Sequence, residues 1–219
     1  AARFPRWFEG HRARVSRPLV GALSRWSRLG EINAFLGRNG HLRGFGFVEA
    51  ALEHLDARCL VDHVERERIP ESGRCVIVAN HPLGAIDALA LLHCVGSVRR
   101  DVKILANDLL LSLDALSDLL LPLRILGGKP SSESIAAAEQ ALAEEQALIV
   151  FPAGAVSRFG FRGVRDALWR RGFLRFAEKM DAPIVPVHLS GRNSALFYGL
   201  SRIAPLLGTA MLPREMYTR

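Results

Sequence analysis

The residues best suited to chemistry are a histidine and an aspartate in one short stretch, His81 and Asp87. A neutral imidazole can remove a proton from a hydroxyl or an amine near neutral pH. A carboxylate at the other ring nitrogen fixes the tautomer and stabilises the imidazolium that forms. The residues between them include Pro82 and Gly84, which suit a chain that turns back on itself. The spacing predicts a general base with an orienting partner, and main-chain amides of the same loop could hold an oxyanion.

A second interpretation of the same residues is structural. Asp87 lies at the start of an apolar run, where a carboxylate can cap a helix, and His81 would then be an ordinary polar loop residue. Short patterns arise often by chance, so the spacing alone leaves both interpretations open.

The loop must be positioned by a strand before it and a helix after it. Residues 75–79 form a short apolar run, and residues 86–95 are apolar on nearly every side. This pattern predicts a buried strand, a tight turn and a buried helix. In open α/β sheets, sites form at the carboxyl ends of strands, which is where His81 falls.

Strands and helices alternate along the remaining chain. This alternation predicts an α/β fold with a mixed, partly parallel central sheet flanked by helices. A preceding amphipathic helical segment would occupy residues 1–57, and residues 58–219 would form the catalytic domain. Further strands are predicted at 58–64, 101–106, 121–126, 147–151 and 182–189. Helices are predicted at 18–36, 45–57, 107–119, 132–146 and 167–180, with a long loop at 152–166 and no clear period in 205–219.

The net charge of +7 indicates an anionic partner. Nine arginines but only two acidic residues occur in the first 43 positions, so the basic character is concentrated at the N-terminus. Stacking aromatics of the kind used by nucleic-acid readers do not form a pattern, and we expect no nucleic-acid partner. The amphipathic helix near residues 18–36 is expected either to lie on a membrane surface or to pack on the core of the domain. The three cysteines lack metal-ligand spacing, so no metal is expected.

Residues 80–87, Asn-His-Pro-Leu-Gly-Ala-Ile-Asp, resemble the signature block of the glycerolipid acyltransferase superfamily. Most of that superfamily has four residues between the histidine and the aspartate. The five found here match the bacterial hemolysin-like or ornithine-lipid acyltransferase branch. Three later stretches resemble the other blocks in the right order: 123–129, 149–154 and 182–187.

This resemblance implies a fatty acyl transfer to a lysolipid, either a glycerophospholipid or an ornithine-type lipid. The acyl group would come from acyl-carrier protein or acyl-CoA as a co-substrate, with no other cofactor. His81 would be the general base and Asp87 its orienting residue. The substrate-binding residues implied by the blocks are Asn80, Gly84, Gly127, Gly128, Lys129, Phe151, Pro152, Ala153, Gly154 and Arg158. The enzyme would be peripheral at the cytoplasmic face of a bacterial inner membrane.

The third block departs from the superfamily pattern. Ala153 stands where the superfamily has a glutamate, and Ala155 stands where the nearest branch has an acidic residue. The loop 152–158 therefore contains no carboxylate. This departure favours an alternative function, a peripheral membrane protein that binds lipid on the same fold without catalysis.

Overall fold

The computed structural model describes residues 27–107, 113–123, 125–126 and 129–218. The strands are β1 (Cys75–Ala79), β2 (Val102–Ala106), β3 (Leu120–Pro122), β4 (Ile125–Leu126), β5 (Lys129–Pro130), β6 (Ala147–Val150), β7 (Arg158–Gly160), β8 (Gly163–Arg165) and β9 (Ile184–Val187). The helices are α1 (Leu29–Asn39), α2 (Gly44–His54), α3 (His63–Arg66), α4 (Ala85–Gly96), α5 (Ser132–Ala143), α6 (Gly172–Met180), α7 (Ala195–Ile203) and α8 (Pro205–Glu215), with a 3₁₀ turn at Asp114–Leu116.

Five of the strands form one sheet in the order β3-β2-β6-β1-β9, and every neighbouring pair is parallel. The predicted α/β fold is therefore confirmed. Antiparallel pairing occurs in two small ribbons outside this sheet, β4 with β5 and β7 with β8.

The central strands are buried on both faces, as their continuous apolar sequences predict. In β1, Cys75, Ile77 and Ala79 belong to a core cluster that also contains residues of α2 and α4. Val76 and Val78 belong to the opposite cluster, with residues of α5 and α6. The two layers of helices fix β1, and with it the start of the loop that carries His81.

The described part of the N-terminal segment packs on the domain. Phe35 of α1 is buried in the same core cluster as the α2 and α4 residues, and α1 contacts α2 and α8. From residue 27 onward the structure therefore agrees with the core interpretation of the amphipathic pattern. The basic and aromatic stretch before it lies outside the described residues.

Four expectations from the sequence were wrong. A helix was predicted at 107–119, but its described residues 113–119 form only the 3₁₀ turn at Asp114–Leu116 and further turns. Residues 58–64 alternate like a strand, but Leu60 and Val64 are 91% and 64% exposed, and the short helix α3 begins at His63. The stretch 152–166 contains the β7–β8 hairpin instead of a continuous loop. The tail contains α8, which the lack of an apolar period concealed.

Arg99 joins three segments at the amino-terminal edge of the sheet, the edge opposite His81. Its side chain is 1% exposed and pairs with Asp101, with Nη2–Oδ2 and Nε–Oδ1 distances of 2.6 and 2.8 Å. The guanidinium also donates to the carbonyls of Pro70, Gly73 and Glu145. The hydrogen bonds from the Arg99 guanidinium to the Asp101 carboxylate hold the pKa of Asp101 below its usual value.

Replacing Arg99 by methionine should therefore destabilise the fold without touching the His81 loop. Leaving these partly buried carbonyls without donors should lower the free energy of unfolding by about 3 kcal/mol, measured by urea denaturation. Arg68→Met is the matched control because Arg68 is exposed and its side chain forms an ion pair with Glu65 on the surface. Its effect should stay within about 0.5 kcal/mol. Equal effects of the two variants would contradict the role given to Arg99.

Candidate active site

His81 and Asp87 come together where β1 ends and α4 begins. His81 Nδ1 lies 3.0 Å from Asp87 Oδ2, and the side chains are 18% and 1% exposed. The N–H direction is poorly aligned with that oxygen, since Nδ1 has no hydrogen-bond acceptor of good geometry among the described residues. Such alignment often improves only when substrate binds. The arrangement leaves Nε2 as the ring nitrogen that is available to the hydroxyl of a bound molecule.

Asp87 also caps α4. Its Oδ2 accepts hydrogen bonds from the main-chain amides of Leu83 at 2.7 Å and Gly84 at 3.0 Å. A carboxylate in the first turn is stabilised by these donors and by the helix dipole. The capping and catalytic interpretations of Asp87 are thus compatible, because one oxygen atom makes all of these contacts.

Gly84 makes this geometry possible. Its φ of +81° and ψ of −132° are unfavourable for a residue with a side chain. An added Cβ would lie 3.5 Å from atoms of Leu212 and Val156. The space is therefore adequate, and the backbone conformation is what requires glycine.

The strands on either side of β1 complete the surroundings of His81. The ring of Phe151, which follows β6, stacks on the imidazole with centroids 4.2 Å apart and planes 24° apart. Asn80 exchanges two hydrogen bonds with the main chain of Leu189, which follows β9, at 2.8 and 2.6 Å. Because parallel strands end at one edge of the sheet, these sequence-predicted residues meet there. Asn193 ties the same loop further by donating to the carbonyl of Pro82 at 3.0 Å.

The third block loop begins beside His81. Pro152 and Ala153 are buried, whereas Gly154 and Ala155 are exposed, and Gly154 has a φ of +66°. The methyl group of Ala153 thus belongs to the packed interior, and the exposed part of the loop starts at the glycine.

Arg158 is directed into a contact with the C-terminal helices. Its guanidinium donates to the hydroxyls of Ser201 and Thr209 and lies 4.9 Å from the centre of the Phe197 ring. Partial burial lowers its pKa. These contacts join the β7–β8 hairpin to α7 and α8, in addition to any role that Arg158 has toward a substrate.

The second block is only partly visible. Gly127 and Gly128 lie outside the described residues, and for Lys129 the structure gives only its backbone, in β5. Within the described ranges, no group of His, Cys, Asp and Glu side chains could hold a metal ion. No described helix is both long and apolar enough to cross a membrane.

Asp166 is the site residue that the sequence did not reveal. It lies just after β8, and its carboxylate accepts hydrogen bonds from the main-chain N–H of His81 at 3.2 Å, from the Ser157 hydroxyl and from the Trp169 indole at 2.9 Å. Asp166 and His81 are 85 positions apart in the chain. The sequence contains one local signal for this residue: Asp166 lies three positions before Trp169, and the indole N–H of a buried tryptophan needs a hydrogen-bond acceptor.

An apolar cavity of about 100 Å³ lies beside the helix that follows His81. One face of α4, including Ala85, Ala88 and Leu92, forms a wall of it, and residues of α1 and α2 line it as well. Tyr217 is also part of the lining, and its hydroxyl lies 3.2 Å from His54 Nε2. The cavity thus begins at the first residue of α4 and offers an almost wholly apolar surface.

The fold and this site agree with comparisons to known proteins. Residues 12–218 match a family of acyltransferases, and the chain belongs to that family. It is 34% identical over 195 residues to the lyso-glycine lipid O-acyltransferase of Phocaeicola vulgatus, covering 89% of this chain and 69% of that protein. It is 35% identical over 195 residues to the protein of the same name from Bacteroides thetaiotaomicron, covering 89% and 71%. No solved structure matches the chain.

Membership of this family, together with the two relatives, supports the prediction that the protein is an acyltransferase that acts on lipids. It therefore favours catalysis over the alternative of a lipid-binding protein without activity.

Replacing Gly84 by alanine should disturb the site through the backbone. The unfavourable φ should lower the free energy of unfolding by about 1–3 kcal/mol, measured by urea denaturation. Gly37→Ala is the control, because Gly37 lies in α1 with open space around its Cβ position. That substitution should be neutral or stabilising by up to about 1 kcal/mol. Equal stability changes in the two variants would argue against strain at Gly84.

Proposed function

We propose that this protein transfers a fatty acyl group from the thioester of acyl-carrier protein or CoA to a hydroxyl of a lysolipid at a membrane surface. The observation that carries the proposal is the His81–Asp87 pair. Its partly exposed imidazole lies 3.0 Å from a buried carboxylate that accepts hydrogen bonds from two main-chain amides. This arrangement suits general-base catalysis on a hydroxyl.

In the proposed reaction, His81 Nε2 removes the proton of the acceptor hydroxyl as its oxygen attacks the thioester carbonyl carbon. Asp87 holds the ring and stabilises the imidazolium. When the tetrahedral intermediate collapses, the carbon–sulfur bond breaks, and the leaving thiolate takes the proton from His81. Neutral histidine is thereby restored, and no acyl group is bonded to the protein.

The oxyanion needs donors other than the loop amides nearest to His81. The amides of Leu83 and Gly84 are already bound to Asp87. The first amides of a helix have no acceptor within the helix, so those of Ala85 and Ile86 are the suitable donors.

The two relatives limit the choice of acyl acceptor. Both are named lyso-glycine lipid O-acyltransferases, which favours an amino-acid lysolipid with a free hydroxyl as the acceptor here. The net charge of +7 and the arginine-rich N-terminus favour action at an anionic membrane surface. In a bacterial cell, we place the enzyme at the cytoplasmic face of the inner membrane, where acyl thioesters are available.

The cavity beside α4 suits the alkyl chain of a lipid substrate. Its wall starts at Ala85, one residue after the loop of His81 and Asp87. From Ala85 to Leu92 the helix rises by about 10 Å, but the cavity volume of about 100 Å³ holds only a short part of an alkyl chain, since a cavity of about 150 Å³ holds benzene. Each buried methylene contributes about 0.8 kcal/mol, so such a cavity can discriminate chain length.

Replacing His81 by alanine should remove the base and lower kcat by about 10²- to 10⁴-fold. The assay follows thiol release from acyl-CoA or acyl-carrier protein with a lyso-glycine lipid acceptor, and mass spectrometry identifies the O-acylated product. His63→Ala is the control, because His63 is exposed and pairs with Glu67 on the surface. Full activity of His81→Ala, with unchanged thermal stability, would refute the proposed mechanism.

Replacing Ala88 by phenylalanine should fill the cavity and shift the preference toward shorter acyl chains. The measurement is kcat/KM across a series of acyl donors and lysolipids of increasing chain length. Ala136→Phe is the control, since Ala136 lies on the exposed side of α5. An unaltered chain-length profile in Ala88→Phe would mean that the cavity does not hold the substrate chain.

A further inference from the structure

The main chain of His81 is held by a closed ring of hydrogen bonds. Its N–H donates to Asp166 Oδ1 at 3.2 Å, and its carbonyl accepts from the Ser157 amide at 2.8 Å. The Ser157 hydroxyl donates to the same Asp166 oxygen. Both polar groups of the His81 backbone are therefore tied to the segment that contains the β7–β8 hairpin.

The carboxylate at the centre of this ring is itself oriented. The other oxygen of Asp166, Oδ2, accepts from the Trp169 indole at 2.9 Å. Trp169 packs edge-on against Phe173 of α6, with ring centroids 6.2 Å apart. These described partners of Asp166 are neutral donors, which anchor its two oxygens in different directions.

This anchoring matters because the imidazole has few other restraints. Its contact with Asp87 is poorly aligned, and the stacking with Phe151 fixes the ring plane but not its position along that plane. A shift of about 1 Å in a reacting group can lower a rate by about 10²-fold. The position of Nε2 therefore depends on where the His81 backbone is held.

We propose that Asp166 is a positioning residue for the general base, and that it holds the His81 main chain through the ring formed with Ser157. The proposal rests on the proposed function for its effect on catalysis. The proposal also gives a role to the Asp166 carboxylate, which lies beside the loop 152–158, a loop that contains no carboxylate. Asp166 acts on His81 and not on the lipid acceptor.

Replacing Asp166 by alanine should therefore lower kcat by about 10- to 100-fold, with KM for donor and acceptor changed by less than about threefold. Asp166→Asn should also impair the site, because the new NH₂ group is a donor and every described partner of Asp166 is a donor as well. It must face either the Trp169 indole N–H or the two groups that donate to Oδ1. In the double variant Asp166→Asn/Trp169→Phe this conflict is removed, and the amide oxygen can again accept from His81. We expect the double variant to recover at least about tenfold in kcat relative to Asp166→Asn.

Two controls separate positioning from general loss of structure. Asp62→Asn and Asp62→Ala change an exposed aspartate that makes no side-chain capping bond, and they should leave kcat unchanged. NMR spectra of the His81 ring, assigned with His81→Ala, report the environment of the imidazole without any turnover. In Asp166→Ala the His81 ring signals should shift, while the signals of exposed His63 stay in place.

The outcomes distinguish this proposal from the proposed function. If the wild-type protein transfers no acyl group but the His81 signals still shift in Asp166→Ala, the function is wrong and the positioning role stands. If kcat is unchanged in a folded Asp166→Ala, or if the loss appears only in KM, the positioning role is wrong. Failure of the double variant to recover activity over Asp166→Asn would also overturn it.

Discussion

One buried oxygen atom determines the geometry of this site. Asp87 Oδ2 lies within 3.0 Å of three nitrogen atoms, the amides of Leu83 and Gly84 and Nδ1 of His81. A carboxylate that is only 1% exposed must have such partners, because an unpaired buried charge is strongly unfavourable. Satisfying it requires the positive φ of Gly84 and the turn that returns the chain to α4. The capping of a helix and the placement of the proposed general base are thus one constraint.

The parallel sheet supplies what this local arrangement lacks. β1 lies between β6 and β9, so the residues after those strands must flank the residues after β1. Phe151 and Leu189 reach His81 and Asn80 for that reason, although they are far away in the chain. The site is assembled where strands end, while Arg99 secures the opposite edge.

The sequence was sufficient where the cause is local. β1, α4 and the contact between His81 and Asp87 follow from one continuous stretch of apolar residues and a turn. The alternation at 58–64 misled because a strand also needs a partner, and Leu60 there is 91% exposed. The β7–β8 hairpin is short and rich in glycine and arginine, so it lacks a strand pattern. Asp166 could not be assigned because its contact with His81 depends on the folding of that hairpin.

The third block loop, which has no carboxylate, is held by its own packing and by a residue outside it. Ala153 is packed inside, and Asp166 supplies the carboxylate that ties Ser157 to His81. Arg158 donates to Ser201 and Thr209, so part of its hydrogen-bonding capacity serves the fold. Under the proposed function, the loop 152–158 offers no carboxylate to a head group, so burial of the lipid chain in the apolar cavity gains weight, since each buried methylene contributes separately. Under the same proposal, the length of the lipid chain should affect the rate of transfer.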